Sequence, residues 1–325
     1  MTEPAIQISN VTKRFKEKVA VNDLSLTVPE GSLCGFLGPN GAGKTTTIRM
    51  VMSIFYPDQG DIRVLGGSAL DAKDRIGYLP EERGIYRKMK VLDFLTYMGQ
   101  LKGVPSSKLK NHINDWLARV NLPDVQKKKC EELSKGMQQK VQFIASVIHD
   151  PHLIILDEPF SGLDPVNVRL LRELINEMHK GGKTIIFSTH VLHQAEQVCD
   201  HIFMINRGRK IIDSTVQEIR ANFDPRTIVF ETSDGADGQA ALSAPGVDRV
   251  IDGREKGTLE AHLKQGADPQ IAMRAMMASM PLRRVELRRV TLEDVFVSLV
   301  SESDSEDSAR AAFRSPEAEA AEVSS

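Results

Sequence analysis

Apolar and polar residues alternate along the start of the chain, and that alternation predicts strands. Ile6 to Val11 and Leu24 to Val28 both read this way, separated by the basic turn Lys13-Arg14-Phe15-Lys16. Leu33 to Leu37 is a short apolar run that ends at Gly38, and Thr45 to Ile54 beyond it is compatible with a helix. Val91 to Cys130 reads as mostly helical, with Trp116, Leu117 and Val120 on one face and an interruption at Gly103-Val104-Pro105. Two later runs, Leu153 to Leu156 and Thr184 to Phe187, are compact and rich in isoleucine, as strands covered on both faces of a parallel sheet tend to be. Val166 to His179 between them has helical periodicity. The pieces predict one α/β domain over residues 1–222, with a helical insertion at about 90–140.

Composition changes after Asp224-Pro225. Thr227 to Glu231, Val247 to Ile251, Thr258 to Leu263 and Arg284 to Arg288 read as strands, and Gly238 to Leu242, Pro269 to Met280 and Leu292 to Val300 as helices. That order, β-α-β-β-α-β plus a final helix, is the order of a small α+β ferredoxin-like domain, here over 223–300. Met273, Met276, Met277 and Met280 stand at helical spacing and read as core filler. From Ser301 on, large apolar residues almost vanish, which predicts a disordered acidic tail over 301–325.

Bulk properties exclude several classes. The 325 residues are 41% hydrophobic, ordinary for a soluble core. The formal charge of −2 hides a tail with seven acids against Arg310 and Arg314, so the body of the chain is near +3, too weakly basic to argue for nucleic acid. Cys34, Cys130 and Cys199 are scattered and lack metal-ligand spacing, which speaks against a disulfide framework or zinc site and fits a reducing cytosol. No apolar run approaches the roughly 18 residues of a membrane-spanning helix, and the first residues lack the regions of a signal peptide. Any membrane role is expected to come through a partner.

Chemistry enters at three places. Gly38-Pro39-Asn40-Gly41-Ala42-Gly43-Lys44-Thr45 matches the phosphate-loop pattern at every fixed position, between a predicted strand and a predicted helix. Its glycines let successive backbone N–H groups face phosphate oxygens, Lys44 is placed for the β- and γ-phosphates, and the Thr45 hydroxyl for Mg²⁺. Asp157 and Glu158 follow a buried strand, which sets both carboxylates at the sheet's carboxyl edge beside that loop. Asp157 is expected to hold the magnesium shell, and Glu158 to orient or deprotonate the attacking water. Ser134 is a good N-cap for a helix over Gly136 to Ile148, whose amino end offers N–H groups and a favourable dipole to an anion.

In this order the motifs resemble the ATP-binding cassette (ABC) ATPases, and the resemblance covers nearly all of residues 5–220. Leu133-Ser134-Lys135-Gly136-Met137 is similar to that family's signature, Ser161-Gly162-Leu163-Asp164 to its D-loop, His190 to its switch histidine, and Phe15 to the aromatic that stacks on adenine. The fold implied is a phosphate-loop cassette with a parallel core sheet, an antiparallel edge sheet and a helical insertion. The nucleotide contacts implied run from Gly38 through Thr46, with Phe15, Ser134, Gly136 and Asp164 added; Glu158, His190 and Lys44 are implied in catalysis, and Thr45, Asp157 and Glu81 around the metal.

The chain departs from the family pattern in two places. Glu81 replaces the usual glutamine after Tyr78-Leu79-Pro80, adding negative charge near the γ-phosphate while still able to reach Mg²⁺ directly or through water. The signature reads LSKGM rather than LSGGQ. Together with Thr291-Leu292-Glu293-Asp294-Val295-Phe296, these resemble the ATP-binding subunits of ABC-2-type exporters, including sodium-export and drug-export subunits. The resemblance implies ATP and Mg²⁺ as ligands, a head-to-tail homodimer or paired cassette in which each signature caps the partner's ATP, and a separate transmembrane permease. It also implies a cytoplasmic, peripheral location on the inner face of the membrane. Two other readings stay open at this stage. One is a soluble ABC ATPase without a transport role, the other a regulatory ATP-binding module that does not turn over.

Overall fold

The computed structural model describes residues 3–82, 84–222, 226–233, 238–253, 255–288 and 291–300. The expected tail over 301–325 and the composition break at Asp224-Pro225 lie outside them. The chain divides into two compact units, one running to Val216 and resuming at Phe296, the other Gln217–Val295.

In the larger unit, β1 (Ile6–Phe15) and β2 (Lys18–Val28) form an antiparallel hairpin that β4 (Gln59–Val64) extends on the far side of β1. One row of alternating side chains is buried and the other faces solvent, so period 2 is visible in both burial and sequence. The second sheet has six strands in the order β5-β6-β7-β3-β8-β9, comprising β3 (Leu33–Leu37), β5 (Ile76–Leu79), β6 (Leu153–Asp157), β7 (Thr184–Thr189), β8 (His201–Asn206) and β9 (Arg209–Thr215). All neighbours run parallel except β8 and β9. Every residue of β3, β6 and β7 is buried, which is why these strands read as unbroken apolar runs. Helix α1 (Lys44–Val51) sits between the sheets, and Ile48, Met50 and Val51 join the core that both sheets share.

Register decides where the chemistry goes. Leu37 lies beside Thr189, Asp157 beside Ser188, and Leu79 beside Leu156. The loops that leave β3, β5, β6 and β7 therefore emerge side by side at the carboxyl edge, at the reversal of strand order where α/β sheets form their clefts.

The helical insertion consists of α2 (Val91–Leu101) and α3 (Ser106–Arg119), broken at Gly103 to Pro105 as expected; α4 (Lys135–Val147) then leads into β6. Trp116, Leu117 and Val120 are all buried. The expectation of helix through Cys130 is corrected: α3 stops at Val120, because Asn121 takes φ 58° and Pro123 follows, and the chain to Ser134 is extended or turn-like apart from a short 3₁₀ segment, Cys130–Glu132. Helices α5 (Pro165–Lys180) and α6 (Leu192–Glu196) belong to the larger unit, and α7 (Val216–Asn222) begins at the last residue of its first stretch and continues into the smaller one.

The smaller unit holds β10 (Thr227–Thr232), β11 (Val247–Asp252), β12 (Leu259–Leu263), β13 (Leu282–Leu287) and α8 (Pro269–Ser279), and α9 (Leu292–Val300) starts within it. Its sheet order is β11-β12-β10-β13, antiparallel throughout, the arrangement a split β-α-β-β-α-β chain produces. The predicted helix at Gly238 to Leu242 is a 3₁₀ segment, Gly238–Ser243. Met276 and Met280 are buried in the core and Met273 packs against it, whereas Met277 is 53% exposed. Met277 follows Met276 by one residue, a turn of about 100° around the helix that carries it off the buried stripe.

Candidate active site

Between β3 and α1 the chain makes a loop that only glycine can complete. A Cβ on Gly38 would lie 2.1 Å from the Ile205 carbonyl oxygen, and Gly43, at φ 109°, would place one 2.5 Å from that of Ala20. Lys44 folds back into this loop, its Nζ donating to the carbonyls of Gly38 at 2.7 Å and Pro39 at 3.2 Å. Burial lowers its pKa, with Glu158 and Asp157 opposing that shift. The predicted helix from Thr45 to Ile54 is observed as Lys44–Val51, since Ser53 adopts φ 55°.

A pocket of about 300 Å³ opens over the loop. Its lining includes Phe15, Asn40, Gly41, Gly43, Lys44, Thr45, Thr46, Glu81, Asp157 and Glu158; Pro39 and the buried Ala42 belong to the loop beneath, where the Ala42 N–H donates to the Pro39 carbonyl at 3.1 Å. Phe15 is 43% exposed and meets Phe55 edge-on at 5.6 Å, which leaves ring surface open to the pocket.

Asp157 ends β6. Its Oδ1 accepts from Ser188 Oγ at 2.9 Å and its Oδ2 from Thr45 Oγ1 at 3.3 Å. Burial pushes its pKa up to about 6; the Ser188 hydroxyl opposes that, and the charges of Glu158 and Glu81 add to it. Glu158 turns off the strand at φ 49° and is held by three donors: Thr189 Oγ1 at 2.9 Å, the His190 N–H at 2.8 Å and His190 Nδ1 at 2.6 Å. The His190 pKa is raised, chiefly by that bond to Glu158.

The donors fit magnesium. Three carboxylates and the Thr45 hydroxyl face one buried ammonium, a hard-oxygen set with excess negative charge. No group of three or more His, Cys, Asp or Glu residues forms a metal cage among the described residues, and magnesium bound through one or two protein oxygens plus substrate phosphates needs none.

The residues expected to form the signature and the D-loop lie elsewhere. Ser134 caps α4, its Oγ accepting from the Met137 N–H at 3.3 Å, and Asp164 caps α5, accepting from the Asn167 N–H at 3.0 Å. The Lys140 ammonium reaches Asn167 Oδ1 at 2.9 Å, and Gly136 faces Leu163 closely enough that a Cβ would touch it at 3.4 Å. None of Ser134, Gly136 and Asp164 lines the phosphate-loop pocket. Sequence reading passed over Gln139 and Gln142. Both are buried polar residues on α4, donating to the carbonyl of Pro159 and to those of Pro80 and Glu82. Their only signal was two amides on the helix's apolar side, visible once burial is known.

A phosphate loop, the paired carboxylates Asp157 and Glu158 with His190 bound to the second, and a helix capped by Ser134 outside the pocket are the features of a phosphate-loop ATPase of the cassette class. Residues 21–161 match the ABC transporter family, and residues 215–300 the C-terminal domain of DrrA1-3-like ATP-binding proteins. YhaQ of Bacillus subtilis (strain 168), an uncharacterized ABC transporter ATP-binding protein, is 39% identical over 299 residues, covering 91% of this chain and 98% of its own. Nod factor export ATP-binding protein I of Ralstonia nicotianae is 32% identical, covering 91% and 94%. Among solved structures, the ATP binding subunit of an ABC transporter superposes with a TM-score of 0.63 at 28% identity, over 67% of this chain and 93% of that one. The chain belongs to the ABC transporter ATP-binding proteins. It is an ATP-binding subunit and an ATPase, of the kind that works with a separate membrane component.

Proposed function

We propose that this chain drives an exporter-type permease and that it does so as a head-to-tail pair of cassettes, a homodimer or a pair with a second cassette, closed on two ATP molecules. The division of motifs carries the pairing: the pocket holds the phosphate loop, Asp157, Glu158 and Glu81, while Ser134 and Gly136 do not line it. A two-fold partner would bring its own Ser134 and the positive end of its α4 over the open phosphate side.

In the closed pair, Phe15 stacks on adenine, the loop N–H groups from Asn40 to Thr46 and Lys44 hold the phosphates, and Asp164 lies at the junction of the two cassettes. Glu158 accepts the proton of the attacking water, and His190 steadies that carboxylate and the γ-phosphate. Thr45 and Asp157 would hold Mg²⁺, with Glu81 through water; bound there, the ion neutralises charge on the β- and γ-phosphates. Loss of the γ-phosphate reopens the pair.

Export is supported by the relative named for Nod factor export and by the match over residues 215–300. A docking place for the permease is supported by the start of the helical insertion, where Tyr97 and Leu101 of α2 and Tyr86 of the preceding loop are exposed and the two tyrosine rings meet at 5.7 Å. None of the chain's helices is long and apolar enough to cross a membrane among the described residues. As an ATP-binding subunit that works with a separate membrane component, the chain works at the cytoplasmic face of the membrane, held there by the permease.

Light scattering on the full chain tests the pairing. Glu158→Gln with MgATP is expected to run as a dimer, and Lys44→Ala as a monomer under the same conditions. A monomeric Glu158→Gln at saturating ATP would overturn it.

A further inference from the structure

Glu81 faces the phosphate pocket, yet no side-chain hydrogen bond holds its exposed carboxylate among the described residues. Its position therefore depends on its backbone. On both sides of it the backbone is tied to one residue: Gln142 Nε2 donates to the Glu82 carbonyl at 3.1 Å and reaches that of Pro80 at 3.5 Å. Gln142 lies in the middle of α4, the helix whose amino end Ser134 caps, and is only 5% exposed. Among the described residues its buried Oε1 has no hydrogen-bond partner. A buried amide that leaves its oxygen unpaired is not the arrangement that packing alone would favour, since a methionine or leucine would fill the space without that cost.

We infer that Gln142 is a positioning residue for ATP turnover, fixing the Pro80–Glu82 backbone so that displacement of the signature helix moves Glu81 in the phosphate pocket. This rests on the assignment of that pocket to ATP hydrolysis. Tilting α4 by engaging Ser134 carries Gln142 with it, because Gln142 lies two turns along the same rigid helix. The amide then pulls on carbonyls flanking Glu81, and the reach of that carboxylate toward the metal and attacking water changes.

The test is a double-mutant cycle on the full chain with MgATP. Gln142→Leu is expected to keep nucleotide affinity within about twofold of wild type and to lower kcat by about tenfold to a hundredfold, the range for a displaced reacting group. Because Gln142 acts through Glu81, the Gln142→Leu, Glu81→Ala double variant should be no slower than Glu81→Ala alone. Losses that multiply, or a Gln142→Leu enzyme with wild-type kcat, overturn the inference. Gln142→Met provides the same comparison if the leucine variant does not fold, thermal unfolding serving as the check. Wild-type turnover that survives Lys44→Ala would instead overturn the pocket assignment, so the two failures are separable.

Discussion

His190 Nδ1 lies 2.6 Å from Glu158 Oε1, and the His190 backbone N–H donates to the same oxygen at 2.8 Å. One residue thus grips the carboxylate twice, once through its ring and once through its backbone. The remaining oxygen, Oε2, takes the Thr189 hydroxyl. Three donors thus fix the orientation of a carboxylate only 8% exposed at the pocket wall, as the proposed role of proton acceptor requires.

Replacing Glu158 by glutamine keeps the shape and removes the proton acceptor. Turnover should fall by about 10² to 10⁴ while ATP still binds, as judged by phosphate release beside equilibrium nucleotide binding. Equal loss of binding and turnover would assign Glu158 to the ground state instead.

Glu81→Gln tests the charge of the pocket. Glu81 is among the groups that raise the Asp157 pKa, so its neutralisation should ease crowding of negative charge where phosphates bind. MgATP affinity is expected to rise about fivefold, roughly 1 kcal/mol, the size of one charge interaction in a solvated cleft. Isothermal titration would reveal it; unchanged or weaker affinity refutes it.

His149 gives the fold a pH dependence remote from catalysis. Its Nε2 faces the Ile76 carbonyl at 3.1 Å, its buried Nδ1 has no partner among the described residues, and burial lowers its pKa from 6.5 to about 4. The unfolded chain binds the proton first, so this neutral histidine stabilises fully above pH 6.5 and that contribution is lost as pH falls toward 4. About 2 kcal/mol is expected to disappear across that window, after allowance for partial solvent contact. Urea unfolding at several pH values should show a shallower slope for His149→Gln, and parallel slopes would dismiss the assignment.

Gly77 is a packing test. A Cβ there would stand 2.1 Å from the Ser146 carbonyl oxygen and 3.0 Å from Pro151 Cγ, neither of which is the end of a flexible side chain. Gly77→Ala should cost about 1–3 kcal/mol, as overpacking does, read from the denaturation midpoint. A midpoint at the wild-type value would mean that β5 and α4 separate more freely than their packing suggests.

Much of this protein was legible without coordinates because its signals are local. The phosphate loop needs glycine at fixed positions for steric reasons, and buried parallel strands must be apolar on both faces. The acids at the end of β6 and the Ser134 cap lie within a few residues of the elements that position them. The order of strands and helices in the second unit followed in the same way from periodicity. Where local signals compete, the reading failed: Asn121 ended α3 ten residues early, and Met277 left a stripe its spacing had assigned it to.

What tertiary structure alone decided is which residues meet. Leu37, Leu79, Asp157 and Thr189 end neighbouring strands although they are separated by up to about 150 positions, and only pairing in the sheet brings their loops to one edge. The same register lets Ser188, Thr189 and His190 grip the two carboxylates. It also decided that Ser134 stays out of its own chain's pocket and that Gln142 clasps the backbone on either side of Glu81. Residue types and spacing are set by steric and solvation demands at each position. Contacts between distant segments depend on how the sheets close over their core, and no local pattern encodes that closure.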